Sequence, residues 1–356
     1  MHCSANHHHS IFCILSPGML HNVASKGTAQ QRDWALHTLE SDHGMRLMRA
    51  TYQLMETGAH KALLTASPPV KQRTIYDAKN GESLPGKAVR TEGGKASSDV
   101  AVNEAYDGLG ATFDFYQKAY SRNSIDDEGL HLDATVHYKT SYDNAFWNGQ
   151  QMVFGDGDGS LFNRFTIAVD VIGHELTHGV TGDEVNLVYL GESGALNESV
   201  SDVFGSLVKQ FQLGQTADKA DWLIGAGLLA KGVKGIALRS MKAPGTAYDD
   251  PVLGKDDQPG HMRDYVHTSA DSGGVHTNSG IPNHAFFLAA TAIGGNAWAK
   301  TGRIWYETVR DKQLKKTADF RHFAQRTVIN AAHLFGQTEK AAILKAWSDV
   351  GVNAGS

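Results

Sequence analysis

The sequence predicts an α+β fold of two lobes, a β-rich half followed by a mainly α-helical half, preceded by a short leader. Three observations carry this reading. Strand and turn signals crowd residues 71–151, long helical periodicities take over from Leu161, and an early helix-like run is cut off by Pro68 and Pro69. The boundaries fall at 1–64 for the leader and linker, 65–187 for the β-rich lobe and 188–356 for the helical lobe.

Bulk composition is consistent with this. At 356 residues the chain exceeds one average domain, and 41% hydrophobic with 20% charged residues fits a globular protein with a sizeable core. Lys+Arg of 33 against Asp+Glu of 38 leaves a net charge of −5, which argues against nucleic acid or an anionic membrane as the main partner. No run approaches the roughly eighteen apolar residues of a membrane span. Both cysteines, Cys3 and Cys13, lie in the leader, so the main body needs no disulfide. The apolar run 11–15 lacks a cationic flank and is too short for a secretory signal, and His7, His8 and His9 read as a native polar tip or a short purification tag.

Taken in order, the first element is a helix over 30–54, where Trp34, Leu36, Leu39, Leu47, Met48 and Leu54 recur at roughly helical spacing. Residues 74–81 read as a strand entering a hairpin, because Asn80-Gly81 suits a tight turn. Val102, Tyr106, Leu109, Phe113 and Tyr116 repeat every three or four residues, which predicts a helix over 100–120. Residues 135–138 read as a strand, and 144–147 and 151–154 as a hairpin about Asn148-Gly149. Phe165, Val169, Ile172, Leu176 and Val180 form the stripe of the next helix. Further helices are predicted over 194–211, 282–293, 298–314 and 322–334. No internal repeat is present.

The chemistry concentrates at His174-Glu175-Leu-Thr-His178. Histidines four apart on a helix share one face, so both imidazoles can reach one zinc ion at about 2.0–2.1 Å. Glu175 points to a neighbouring angle, within reach of a water but not of the metal. With 18 histidines in the chain, this pattern alone could be an exposed helix with fortuitous residues. Glu198, twenty residues after His178, supplies the third ligand that a catalytic zinc needs. Asp202, one turn further, can accept the free N–H of a ligand histidine. Asp271 and His276, five apart across Gly273-Gly274, form an acid–histidine pair suited to stabilising an oxyanion.

These segments resemble the thermolysin-like metallopeptidases. The resemblance extends through Asn144-Ala-Phe-Trp147, Gly155-Asp-Gly-Asp-Gly159, Leu238-Arg-Ser-Met241 and Gly273-Gly-Val-His276-Thr-Asn-Ser-Gly280, in the family's order over roughly 76–352. The short leader, with Cys13-Ile-Leu-Ser-Pro17-Gly-Met-Leu20, is similar to that of the protealysin-like branch, although Pro17-Gly18 stands where the branch often has Pro-Pro. The resemblance implies a zinc-dependent endopeptidase made as a precursor. Its two-lobed fold would hold an active-site cleft between a β-rich N-terminal lobe and a helical C-terminal lobe. His174, His178 and Glu198 would hold the zinc, Glu175 would act as the base, and Tyr189 with His276 would donate to the oxyanion. Asp271 would orient His276, and Asp202 a zinc histidine. Asn144 and Arg239 would bind the substrate backbone, and Phe162, Val171 and Leu238 would line an apolar pocket for the residue after the cut, beside a bulky Phe165. Protein and peptide substrates, a monomer, and the pro-segment as intramolecular inhibitor are the expected partners. Family habit favours secretion, while the weak signal pattern leaves a cytoplasmic precursor or another export route open.

Two further expectations concern regulation and calcium. The segment around 17–20 is expected in the cleft, with Cys13 packed as a small hydrophobe or ligating zinc, and self-cleavage within 46–70. Family members commonly hold a double calcium site. Here Asp170 and Asp221 remain, but Lys209, Leu223 and Ala226 stand where acids are usual, so that Ca2+ site is expected to be lost. The Lys209 ammonium would replace it by pairing with Asp170 or Asp221. Two rival readings stand beside the endopeptidase. One is a catalytically idle zinc protein acting as an interaction module, disfavoured because Glu175 and His276 are both present. The other is a zinc aminopeptidase, for whose extra N-terminus-binding acids we find no sign.

Overall fold

A computed structural model describes residues 12–55 and 69–355, and gives backbone alone for residues 12 and 43–55. Cys3, His7, His8 and His9, and residues 56–68 of the expected processing region, lie outside the described residues.

The leader opens with strand β1 (Phe12–Cys13) and turns at once into helix α1 (Pro17–Lys26) and then α2 (Ala29–Met55). Helix α1 starts where it does because Ser16 caps it, accepting from the Met19 N–H at 3.3 Å, while Pro17 sits in the first turn where its missing N–H costs nothing. Strands β2 (Arg73–Asp77) and β3 (Lys87–Thr91) follow, then α3 (Val100–Tyr120), β4 (Leu132–Val136), β5 (Ala145–Trp147) and β6 (Gln151–Phe154). The six long-range strands form one sheet in the order β1-β5-β6-β4-β2-β3. The 78–81 turn forms as predicted, with Lys79 and Asn80 left-handed and Gly81 N–H donating to Ala78 at 2.8 Å. Its partner strand, however, begins only at Lys87. Strand β4 starts earlier than expected and lies parallel to both β2 and β6. A central parallel strand is covered on both faces, so it loses the alternation that hairpin reasoning looks for.

The helical half contains α4 (Val169–Asp183), α5 (Gly191–Leu213), the two-residue strands β7 (Leu223–Ile224), β8 (Arg239–Ser240), β9 (Asp249–Asp250) and β10 (Gly254–Lys255), then α6 (Asp271–Asn278), α7 (Gly280–Ile293), α8 (Thr301–Val309), α9 (Phe320–Leu334) and α10 (Gln337–Asp349). Helix α3 has the predicted limits, its start set by Asp99 accepting from the Ala101 N–H at 2.9 Å. Two predicted helices are shorter in the structure. Residues 165–167 form a separate 3-10 turn ahead of α4, and α8 covers only the middle of 298–314.

Helices α4 and α5 pack unusually close, and this sets the site. A methyl group on Gly205 of α5 would stand 2.3 Å from the carbonyl oxygen of Asp170 on α4. With no side chain there, α5 approaches the backbone of α4 directly, so residues one and two turns further along can meet across the gap.

Candidate active site

Helix α4 presents His174 and His178 one turn apart, and α5 sets Glu198 opposite them. The Nε2 atoms of the two histidines are 3.0 Å apart. Each lies 3.5 Å from a different Glu198 carboxylate oxygen. All three side chains are buried. The hydrogen bonds behind the rings fix their tautomers. His174 Nδ1 faces Asp202 Oδ1 at 2.8 Å, and His178 Nδ1 faces Asn197 Oδ1 at 2.8 Å with Ser201 Oγ at 3.0 Å. With each Nδ1–H donating backwards, each neutral ring turns an Nε2 lone pair forward. Two lone pairs and a carboxylate therefore converge on one buried point, their ligand atoms within 4.8 Å of one another. Such a set of acceptors calls for a cation, and two imidazoles with one carboxylate suit zinc with a coordination position left open.

Asp202 accepts from three side chains at once. Besides His174, Arg239 donates through Nη2 to Oδ1 at 2.7 Å and through Nε to Oδ2 at 2.8 Å, and Asn283 Nδ2 donates to Oδ2 at 2.8 Å. Burial alone would raise the Asp202 pKa, but the Arg239 charge and the His174 hydrogen bond hold it well below the usual carboxylate range. Glu175, also buried, accepts from the Trp147 N–H of β5 at 3.2 Å.

On the other wall, residues 271–274 all have positive φ, at 52°, 51°, 88° and 75°. Gly273 and Gly274 make such a run affordable. It folds Asp271 back onto His276: Oδ2 accepts the His276 N–H at 2.9 Å and Oδ1 meets Nδ1 at 2.7 Å. Burial tends to lower the His276 pKa, but the Asp271 charge, with Glu198 behind it, more than offsets this and raises it. The Tyr189 hydroxyl donates to Glu198 Oε1 and lies 3.4 Å from His276 Nε2.

The leader runs through this site as a strand. Phe12 and Cys13 pair antiparallel with Trp147 and Phe146 of β5. His276 Nε2 donates to the Cys13 carbonyl at 3.1 Å, and Arg239 Nη1 to the Ile14 carbonyl at 3.0 Å. Ile14 N–H donates to the Ala145 carbonyl, and Leu15 N–H to Asn144 Oδ1, both at 3.2 Å. The gap left beside Ile14, Leu15, Met19, Leu238, Arg239 and His276 is about 20 Å³, room for one water and no substrate side chain.

The expected placement of the leader is therefore extended. Residues 12–15 run through the cleft as a strand, and 17–20 belong to α1, started by the Ser16 cap and Pro17, from which Met19 still lines the remaining gap. Cys13 is buried in a cluster with Tyr142, Phe146 and Val153, as a small hydrophobe would be. Among the described residues it is not part of the metal-capable group. The structure brings together Glu175, His276, Tyr189, Asp271, Asn144 and Arg239 around that group. Leu238 lines the remaining gap, whereas Phe162 and Val171 are buried in the surrounding core without lining it. Sequence reasoning missed Asn197, Ser201 and Asn283. Asn197 and Ser201 lie within the motif around Glu198, and their register on α5 could have found them; Asn283 carries no local signal.

Lys209 does pair as expected, and with both acids. Its Nζ lies 2.8 Å from Asp170 Oδ2, 2.9 Å from Asp221 Oδ1 and 2.7 Å from the Leu223 carbonyl.

Comparison with known proteins decides the family. Residues 36–182 match the family described as thermolysin metallopeptidase, catalytic domain, and residues 185–352 match its alpha-helical domain. The chain belongs to the thermolysin metallopeptidases. It is a metalloendopeptidase, and the His174, His178 and Glu198 group is its zinc site. The chain is 54% identical over 342 residues to an extracellular metalloprotease of Pectobacterium carotovorum subsp. carotovorum, covering 96% of both chains. It is 48% identical over 341 residues to protease PrtS of Photorhabdus sp. (strain Az29), covering 95% of this chain and 91% of that one. The solved precursor of protealysin from Serratia proteamaculans superposes with a TM-score of 0.88 at 56% identity, over 96% of this chain and 99% of that one. The two-lobed fold and the short-leader branch follow from these matches.

Proposed function

We propose that this metallopeptidase is a neutral endopeptidase made as a latent precursor, that it cuts before bulky apolar residues, and that its leader is its intramolecular inhibitor. The observation that carries the reading is the leader itself. Its backbone takes up His276, Arg239 and Asn144 in succession, and these are the groups an extended substrate would need.

The leader's register supports the following roles. The Cys13 carbonyl stands where a scissile carbonyl would, so Ile14 marks the residue after the cut and Leu15 the one beyond it. Zinc held by His174, His178 and Glu198 supplies Lewis acidity, which brings water within reach of deprotonation near neutral pH. Glu175 takes the proton of the attacking water and passes it to the leaving amine. Tyr189 and His276 donate to the oxygen as it gains charge, with Asp271 holding His276 in the donating tautomer. Arg239 holds the next carbonyl, and Asn144 the amide after it. Phe162, Val171 and Leu238 form the apolar surroundings that favour Leu, Phe or Ile after the cut. The lobe limits near 64 and 187 and self-processing within 46–70 belong to the same reading. So does independence from calcium, because the Lys209 ammonium already pairs with Asp170 and Asp221 and stands between them.

The test is digestion of a denatured generic protein by the zinc-loaded chain, with a chelator and Glu175→Ala as controls. Cuts before Leu, Phe or Ile, absent from both controls, are expected. A full-length chain that keeps its zinc and never cleaves under any activating condition would instead support the idle interaction module.

A further inference from the structure

The leader touches the catalytic unit at a second place, away from the metal. One face of helix α2 carries Thr38, Ser41 and Asp42, three and four residues apart, so the three side chains project together. They meet residues 139–144, the segment that leads into β5. The Asp143 N–H donates to Thr38 Oγ1 at 3.4 Å, and Lys139 Nζ to Ser41 Oγ at 2.7 Å. The Tyr142 hydroxyl donates to Asp42 Oδ1 at 2.7 Å, and Asn144 Nδ2 to Asp42 Oδ2 at 2.8 Å. All four hydrogen bonds run the same way, with donors on the catalytic unit and acceptors on the helix. Asp42 is fully buried at this junction.

Asn144 is shared between the two places. Its Nδ2 faces Asp42, while its Oδ1 accepts the Leu15 N–H at 3.2 Å and the Ala145 N–H at 3.0 Å. An ionised carboxylate only accepts, so Asp42 fixes which end of the Asn144 amide faces the cleft. An asparagine at position 42 keeps one acceptor and loses the charge: if its Oδ1 takes the Asn144 Nδ2–H, its own N–H2 must face the Tyr142 hydroxyl, which would then have to accept instead of donate.

We propose that residues 139–144 form a recognition surface for an acceptor-bearing helix face, that its occupant is the leader's own α2, and that Asp42 couples the docking of α2 to the seating of residues 12–15 in the cleft. Asp42 is thereby the specificity-determining contact of the leader, although it lies far from the metal in sequence. This rests on the reading of the leader as inhibitor and adds the residue that makes it hold.

The experiment compares full-length wild type, Asp42→Asn and Tyr142→Phe, which removes one donor and keeps the ring. In zinc-free chains, where no self-cleavage intervenes, hydrogen exchange is followed in a peptide spanning residues 12–20. Exchange of the Ile14 and Leu15 amides is expected to quicken roughly tenfold or more in Asp42→Asn, as for loss of charge-assisted bonds, and less in Tyr142→Phe, with α3 unchanged. In zinc-loaded chains, hydrolysis of a short quenched peptide is read while intact mass still shows an unprocessed leader. Asp42→Asn is expected to leak at least about tenfold over wild type. Once the leader is removed both enzymes have one sequence and must act alike. Unchanged exchange and unchanged latency in Asp42→Asn would overturn the proposal and leave the leader an inhibitor. An unprocessed wild type as active as the processed enzyme would overturn the inhibitor reading instead, and the exchange comparison would still decide whether Asp42 couples the two contacts. Where Asp42→Asn fails to fold, Tyr142→Phe decides both readouts.

Discussion

Two charged clusters bridge the same pair of helices, and they are balanced in opposite ways. Toward the start of α4, Asp170 meets Lys209 of α5, and the ammonium pairs with it and with Asp221. One turn on, His174 and His178 meet Glu198 of α5 with every forward-facing atom an acceptor. The first cluster carries its own cation; the second needs one from solution. Helix packing is common to both, so the difference lies in a few side chains. A buried group of acceptors becomes a metal site when the protein supplies no positive charge of its own, and ceases to be one when a lysine reaches in.

The contrast can be broken at either end. Glu198→Ala removes one of three ligands, and peptide hydrolysis is expected to fall to background with loss of bound zinc, read by metal analysis after dialysis. Glu175→Gln should lose roughly 10²–10⁴ in kcat with zinc retained, because the proposed base and not the metal group is removed. Retained activity would place the proton transfer elsewhere. Lys209→Ala strands a buried Asp170 and is expected to cost about 3 kcal/mol in denaturant unfolding. Lys209→Glu should make the melting temperature rise with added calcium, a response absent from wild type. If wild type responds to calcium equally, the lysine is not the replacement cation. Asn283→Leu removes one donor to Asp202, and zinc should bind roughly 10–100-fold more weakly in a chelator competition.

The smallest effect concerns a third, partly exposed cluster. His137 lies between Asp156, 2.8 Å from Nδ1, and Asp99, 2.8 Å from Nε2. The Asp156 hydrogen bond, opposed by burial and helped by Asp99, lifts its pKa to about 9. A histidine raised in the folded state stabilises fully below its unfolded value of about 6.5, and that contribution is lost as pH rises toward 9. His137→Gln should therefore flatten the fall in stability between those limits.

The parts of this architecture that are local were legible in the chain. Helix α3 shows its apolar stripe, and the zinc histidines announce themselves because helical spacing alone puts them on one face. Glu198 and Asp202 were also readable, since one turn separates them on α5. What escaped was long-range. Strand β4 pairs in parallel with strands distant in sequence, and no turn residue marks that. Strand β1 is two residues long and exists only because β5 is there to receive it. Helix α10 was passed over because only Ile343, Ala346 and Trp347 mark its buried side among charged neighbours. Asn283 reaches Asp202 across 81 positions, and only the packed fold brings them together.

The pairing of β1 with β5 has a consequence for what the enzyme can attack. Strand β5 would be the margin of the sheet without its leader, a row of backbone groups open to any extended chain. On the proposed reading a target would enter by completing that sheet, so its main chain would first have to be free of its own pairings. Segments already committed to a helix or an inner strand offer no such row. The catalytic surface would thus act as a sensor of local unfolding: the slackness of the target would decide whether it is read at all.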